Sequence, residues 1–435
     1  MFWLGVLAIA VGLVISIALH EVGHLLPAKK FGVRVPQYFV GFGPTIWSTR
    51  KGETEYGLKA IPLGGFVRLV GMFPPARQPD SEDDRAERRM RRRGLLGWAR
   101  NVSDDAREAS LEELQPGDDG RAFYQLSTPK KLAVMFGGPF VNLILSVLLF
   151  TVVFSVIGTP TATNTVATVV PCLAQTAGDD CAGVSDSPAA QAQFAPGDTI
   201  VSWNGAPIGD WTDITDAIAA GGTDPVQVVV LRDGVETPLT VTPALVEREV
   251  LDEQGNAELA TLPYVGLSPT SVRQQQPLSV TGEAVMMQFT GTVSVVLTLP
   301  QRLASIAQTT FGGGERDPGV MGIIGVGRAA GDLTEASAPD GFLTQLQYLL
   351  LVLASLNMAL FVFNLIPLPP LDGGHIAGAL YEGARRQVAR WRRRPNPGYA
   401  DTAKLMPVTY AMVLLFLGMG LLLAVADIFN PVEII

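Results

Sequence analysis

The chain has 435 residues, 48% of them hydrophobic and only 17% charged, with a formal net charge of −9. That is too apolar for one ordinary soluble domain and too polar for a bare bundle of helices, so a mixed membrane architecture follows. Nothing in this balance supports nucleic-acid binding.

The first element is an apolar run over residues 2–26, long enough to cross a bilayer as a helix. It lacks a basic start and a small-residue cleavage site, so it reads as a span and not as a cleaved secretory signal. Within it lies His20-Glu21-Val22-Gly23-His24. Histidines four residues apart share one helix face and can grip one ion, while Glu21, one step round, can reach a water on that ion. At 1.5 Å of rise per residue, His20 is about 27 Å from Phe2, which puts the metal near the far end of the span.

Residues 55–69 carry Gly57, Gly64 and Gly65 among alternating apolar side chains. They form a candidate edge strand that could capture an unwound peptide by strand addition, or an interfacial hairpin that only anchors the chain. Residues 74–127 hold 10 Arg against 12 Asp plus Glu, with few large apolar residues. Such a segment buries no core of its own and reads as a disordered, solvated insertion. A second span follows at 132–157.

Residues 159–275 read as a small β-rich domain. There is a short β-branched run at 165–170, a turn and strand at 187–205, a helix at 211–219, and strands at 226–231 and 237–241 joined across Asp233-Gly234. This order resembles a PDZ domain, with room for one such unit. Cys172 and Cys181 are the only cysteines. If this region lies outside the cytoplasm, a disulfide closing a small loop is the default. Residues 279–306 mix apolar runs with Thr, Gln and Ser, and Pro300 and Arg302 limit them, so amphipathic helices at the membrane face are expected.

A third span, 346–365, carries Asn357 and Asn364 and breaks into Asn364-Leu365-Ile366-Pro367-Leu368-Pro369-Pro370-Leu371-Asp372-Gly373-Gly374-His375. Catalytic zinc takes three protein ligands, so His20 and His24 need a partner from elsewhere. Asp372 is the candidate, aimed by the broken backbone, and His375 is its rival. The fourth span is 406–429. Lys plus Arg number 19 between spans one and two, 7 between three and four, and 6 in residues 159–340, which hold 21 Asp plus Glu. The basic loops are therefore expected in the cytoplasm, with both termini and the acidic segment outside.

HEVGH and NLIPLPPLDGGH together resemble the site-2 proteases, intramembrane zinc metalloproteases, and most of all the bacterial regulator of sigma-E protease branch. Gly41-Phe42-Gly43-Pro44, Glu55-Tyr56-Gly57-Leu58 and Ile61-Pro62-Leu63-Gly64-Gly65-Phe66 are similar to that family's membrane-associated β-hairpin region. Gly137-Gly138-Pro139-Phe140-Val141-Asn142 resembles the start of its second span, and Asp317-Pro318-Gly319-Val320-Met321-Gly322-Ile323 a loop before its third. The resemblance implies that His20, His24 and Asp372 ligate Zn2+, that Glu21 is the general base, and that Asn364 holds the substrate backbone. Asn357, two turns before Asn364 on the same face, is a second substrate-binding candidate.

The expected fold class is a polytopic α-helical membrane protein with four transmembrane helices, a membrane-associated β-hairpin region and an extracytoplasmic β-rich PDZ-like domain. Its segments are span one with HEVGH (1–27), the membrane-associated β region (28–73), the charged cytoplasmic insertion (74–127) and span two (128–158). The PDZ-like domain (159–275), amphipathic helices and loop (276–345), span three with LDGGH (346–380), basic loop (381–405) and span four (406–429) follow. In this family the implied substrates are single-span regulators in the lipid bilayer, such as anti-sigma factors already trimmed outside, and the implied location is the bacterial cytoplasmic membrane. Two other readings are a catalytically silent PDZ-type membrane receptor with structural zinc, and a membrane zinc hydrolase of lipid or small molecules.

Overall fold

The computed structural model describes residues 1–75, 95–173, 181, 185–251, 257–314, 316 and 319–432. The chain divides into two units, Met1–Ile157 with Pro277–Ile435, and Gly158–Gln276.

In the first unit, helix α1 (Phe2–Lys30) is apolar almost all round and closes on Lys29, Lys30 and the positive-φ Gly32. Leu4, Leu7, Val11 and Ile15 form an exposed stripe, as a helix against lipid requires, while Gly5, Ile9 and Ser16 are buried. Strands β1 (Gln37–Lys51) and β2 (Thr54–Arg68) pair antiparallel, and the ladder doubles back: Tyr38 pairs with Tyr56 on one side and Val67 on the other. β2 thus curls round the start of β1 and, among the described residues, leaves Gly65–Arg68 paired on one side only. Tyr38 donates to the Ala18 carbonyl at 2.9 Å, which moors this hairpin on α1.

Helix α2 (Leu95–Glu112) lies in the segment expected to be a solvated insertion, of which residues 76–94 fall outside those described. The part that is described is ordered, and Ser103, Arg107 and Ser110 are buried. Its partners come from elsewhere: Arg107 donates to the Asp401 carboxylate at 2.7 and 3.1 Å, and Phe123 and Leu126, just beyond α2, join Leu25, Val33, Val35 and Val134 in one core. Composition could not reveal this order, because the segment supplies few of the apolar atoms that hold it.

Helix α3 (Thr128–Thr151) continues through a wider turn, Val152–Ile157. It runs against α1, with Gly23 and Gly137 in backbone contact, where a Cβ on either would strike the other's carbonyl. In the second unit, β3 (Thr159–Val169), β4 (Thr199–Trp203), β5 (Ala206–Pro207), helix α4 (Trp211–Gly221), β6 (Val226–Arg232) and β7 (Val235–Val241) follow. A hairpin of β8 (Ala244–Leu251) and β9 (Ala257–Tyr264) comes next, then β10 (Leu267–Gln274). The main sheet runs β10-β3-β4-β6-β7, with β5 beside β4, over a core of Val166, Ile200, Trp203, Ile214, Val228 and Val230. The β6–β7 turn takes positive φ at both Asp233 (50°) and Gly234 (81°), the conformation that Asp-Gly favours in two-residue hairpins. The β8–β9 pair was not foreseen. Cys172 and Cys181 are disulfide-bonded with Cα atoms 5.7 Å apart.

Back in the first unit are α5 (Leu278–Gly312), α6 (Ile323–Ala336), α7 (Phe342–Asn364), α8 (Asp372–Trp391) and α9 (Met406–Phe429). The loop at 317–323 falls partly outside the described residues. Among the described residues five helices are long and apolar enough to cross a membrane: α1, α3, α5, α7 and α9. The sequence expectation of four left out α5, whose Thr, Ser and Gln dilute its apolar run. The first turns of α5 meet the C-terminal end of α3 (Ser155–Thr281, 3.0 Å), and its Ile306 packs on Leu423 and Ala426 near the C-terminal end of α9. The protein is a multi-pass membrane protein with a β-rich domain.

Candidate metal centre

Two segments distant in sequence bring three side chains to one site. His20 and His24 project one helical turn apart from the last third of α1. Asp372 is the first residue of α8. Gly373 and Gly374 follow it because a Cβ on Gly373 would strike the Ile366 carbonyl and one on Gly374 would sit 2.6 Å from Pro369 N. Only glycine lets the helix start fold back on the proline loop and aim the carboxylate.

His20 Nε2 and His24 Nε2 are 3.2 Å apart, and Asp372 Oδ2 is 3.3 Å from the first and 3.4 Å from the second. Among the described residues these three are the group of His, Cys, Asp or Glu that could share one metal ion. A tetrahedron whose centre-to-corner bonds are the roughly 2.0–2.1 Å of zinc with nitrogen or oxygen has edges of about 3.3–3.4 Å. The triangle of donor atoms matches one such face. Asp372 Oδ2 is buried with no hydrogen-bond partner among the described residues, and three lone-pair atoms converging in a buried site repel one another unless a cation sits between them. The residues therefore fit a zinc ion.

The imidazoles are oriented from behind. His24 Nδ1 donates to the Val134 carbonyl at 2.8 Å, which leaves Nε2 as the free lone pair. The Asn142 amide lies 3.1 Å from His20 Nδ1 and is fully buried. With His20 Nε2 committed to the trio, Nδ1 carries the proton, and the amide serves it through its oxygen; a half-turn of the amide exchanges its two ends. Gly138 completes the cradle, since a Cβ there would collide with His24 Nε2 and lie 2.8 Å from His20 Cε1. Sequence reasoning quoted Gly138 and Asn142 only within the stretch that resembles the family's second span, and gave neither them nor the Val134 carbonyl a role at the metal. The available signal was a lone Asn and a Gly-Gly pair inside an apolar span.

His20, His24 and Asp372 open onto a cavity of about 700 Å3 that Glu21, Asn364, Pro370 and His375 also line. Glu21 faces β2, where a Cβ on Gly65 would come within 2.9 Å of its Cγ. His375 shares the cavity but stands outside the trio. Asn357 does not line it: it is fully buried and donates to Ser16 Oγ at 3.0 Å, an interhelical contact between α7 and α1, and to the Leu353 carbonyl of its own helix at 2.8 Å. The last residues of β2, Gly65–Arg68, and Leu69 just beyond them form one wall.

The arrangement combines two imidazoles, a third ligand and a neighbouring carboxylate in a cavity among apolar helices, a set suited to metal-assisted hydrolysis. Comparison with known proteins agrees. Zinc metalloprotease Rip1 of Mycobacterium tuberculosis is 32% identical over 448 residues, covering 100% of this chain and 99% of its own. Metalloprotease MmpA of Caulobacter vibrioides is 27% identical over 387 residues, 86% of each chain. A putative zinc metalloprotease of Mesorhizobium japonicum is 30% identical over 385 residues, 87% of this chain and 88% of that one. Since residues 8–399, which contain His20, Glu21, His24 and Asp372, match peptidase family M50, the chain belongs to that family.

Proposed function

We propose that this intramembrane zinc metalloprotease hydrolyses peptide bonds within transmembrane segments of single-span regulators, typically anti-sigma factors already trimmed outside the membrane. The observation that carries the reading is the triangle of His20, His24 and Asp372, with edges of 3.2–3.4 Å, sharing one cavity with Glu21. The helices around it are long and apolar enough to span a bilayer.

His20, His24 and Asp372 hold the ion. Zinc bound there supplies Lewis-acid polarisation of the scissile carbonyl and brings the ionisation of water near neutrality. Glu21 takes a proton from the attacking water as the new C–O bond forms, and delivers it to the amine nitrogen as the C–N bond breaks. Asn364, in the cavity wall, holds the substrate backbone. The singly paired edge at Gly65–Arg68 receives an extended segment by strand addition, which solves the problem that helical peptide bonds are hidden in their own hydrogen bonds.

The four-span reading keeps α1, α3, α7 and α9 as the crossings. It draws support from α5, which touches the C-terminal ends of both α3 and α9 and so begins and ends toward one side of the bundle. With basic loops in the cytoplasm, both termini and the β-rich domain lie outside a bacterial cytoplasmic membrane. That domain, read as PDZ-like with its disulfide Cys172–Cys181, gates substrates by what they still carry outside. The test is reconstitution in lipid with a truncated single-span substrate, alongside Glu21→Gln. Cleavage by the wild type alone is expected, and equal cleavage by both would end this account.

A further inference from the structure

Helix α2 belongs to the catalytic cavity. Ala106, Ala109 and Ser110 of α2, with Glu113 just past its end, line the same space as His20, Glu21 and Asp372. Their spacing of i, i+3, i+4 and i+7 puts all four on one helical face. The helix is docked at three places: Arg107 on Asp401 at 2.7 and 3.1 Å, Ser110 Oγ accepting from Phe73 N at 3.0 Å, and Glu113 accepting from Arg68 at 2.6 and 2.8 Å. Arg68 is itself the last residue of the β2 edge, so α2 adjoins the strand on which an unwound segment would lie.

The chemistry of that face is selective. Charged residues occupy the opposite side, where Asp105, Glu108 and Glu112 are exposed, while the cavity side presents Ala106, Ala109 and Ser110, with Glu113 at its far end held by Arg68. A strand added to Gly65–Arg68 sends alternate side chains to opposite faces, and those directed at Ala106, Ala109 and Ser110 meet methyl and hydroxyl groups. Small wall residues leave their volume to the ligand.

We infer that α2 is a wall of the substrate cleft and that Ala106 and Ala109 set the bulk of the side chains accepted beside the scissile bond. This rests on the reading of the cavity as a proteolytic cleft. A strict need for small side chains in the substrate would then be relieved or tightened by the size of residue 109 alone, without change at the metal.

The test uses the full chain in lipid vesicles with a single-span substrate. In the Glu21→Gln background, a photo-crosslinking benzoylphenylalanine at Ala109 or at Phe66 is expected to capture substrate, and one at Glu108 is not. In the active protein, Ala109→Leu is expected to lower kcat/KM about ten-fold for substrates with Leu or Phe beside the cut relative to those with Ala, at unchanged zinc content. Capture at Phe66 without capture at Ala109, or a preference that Ala109→Leu leaves unmoved, overturns the inference. Absence of both capture at Phe66 and cleavage by the wild type means that the proteolytic reading has failed, and this inference with it.

Discussion

The Asn142 amide and His20 Nδ1 lie 3.1 Å apart, joining α3 to the metal face of α1 through a residue that is fully buried. The contact controls the orientation of the His20 ring from the side opposite its metal-facing nitrogen. Asn142→Leu removes that control while keeping the volume, and zinc affinity is expected to fall about 10–100-fold, read by competition with a chelator. An affinity equal to wild type would show that packing alone orients the ring.

Gly138→Ala places a methyl group where the two imidazoles stand. Overpacking of this kind costs about 1–3 kcal/mol, and here the strain falls on the ligands themselves. We expect a protein that inserts in the membrane and carries substoichiometric zinc. Metal content of the purified protein decides it.

Glu21→Gln should separate metal binding from chemistry. Glu21 lines the cavity but is not one of the three converging ligand atoms, so zinc content should match wild type while turnover falls about 10²–10⁴-fold. Loss of zinc together with activity would assign Glu21 to the metal instead.

In the β-rich unit, burial pushes the Asp198 carboxyl up, but two hydrogen bonds from Arg232 at 2.7 Å and one from the Ala195 N–H at 2.8 Å outweigh it and hold the group below its ordinary range. A carboxylate depressed in the folded state stabilises above its unfolded pKa, about 3.9, and loses that contribution as pH falls through the lower folded value. Unfolding of this unit, followed by limited proteolysis of the full chain, should therefore become easier below about pH 4. Asp198→Asn should flatten that acid limb and lower stability at neutral pH; an unchanged acid limb would exclude Asp198 as its source.

Much of this was legible in the residues because it is local. An apolar run around HEVGH already places His20 and His24 on one face, since the helix repeat dictates that four residues make about one turn. Asp233-Gly234 between two β-branched runs already specifies a hairpin, because both residues tolerate positive φ. The proline loop ahead of Asp372 signalled a carboxylate aimed by broken backbone, and the structure adds that this residue opens a helix. The order in residues 95–127 was not legible, because Arg107 and Phe123 find their partners at Asp401 and in the core around Val134.

What the linear chain determined, then, was the set of candidate ligands, the helix face that His20 and His24 share, the carboxylate of Glu21 beside them and the turns that end each segment. Tertiary structure alone decided that Asp372 comes within 3.4 Å of both imidazoles, that Asn142 backs His20, that Asn357 is spent on Ser16, and that α2 walls the cavity. The reason is physical. Dihedral preferences act over a few residues, whereas these approaches depend on backbones meeting at Gly23 and Gly137, a contact that exists only once α1 and α3 have packed.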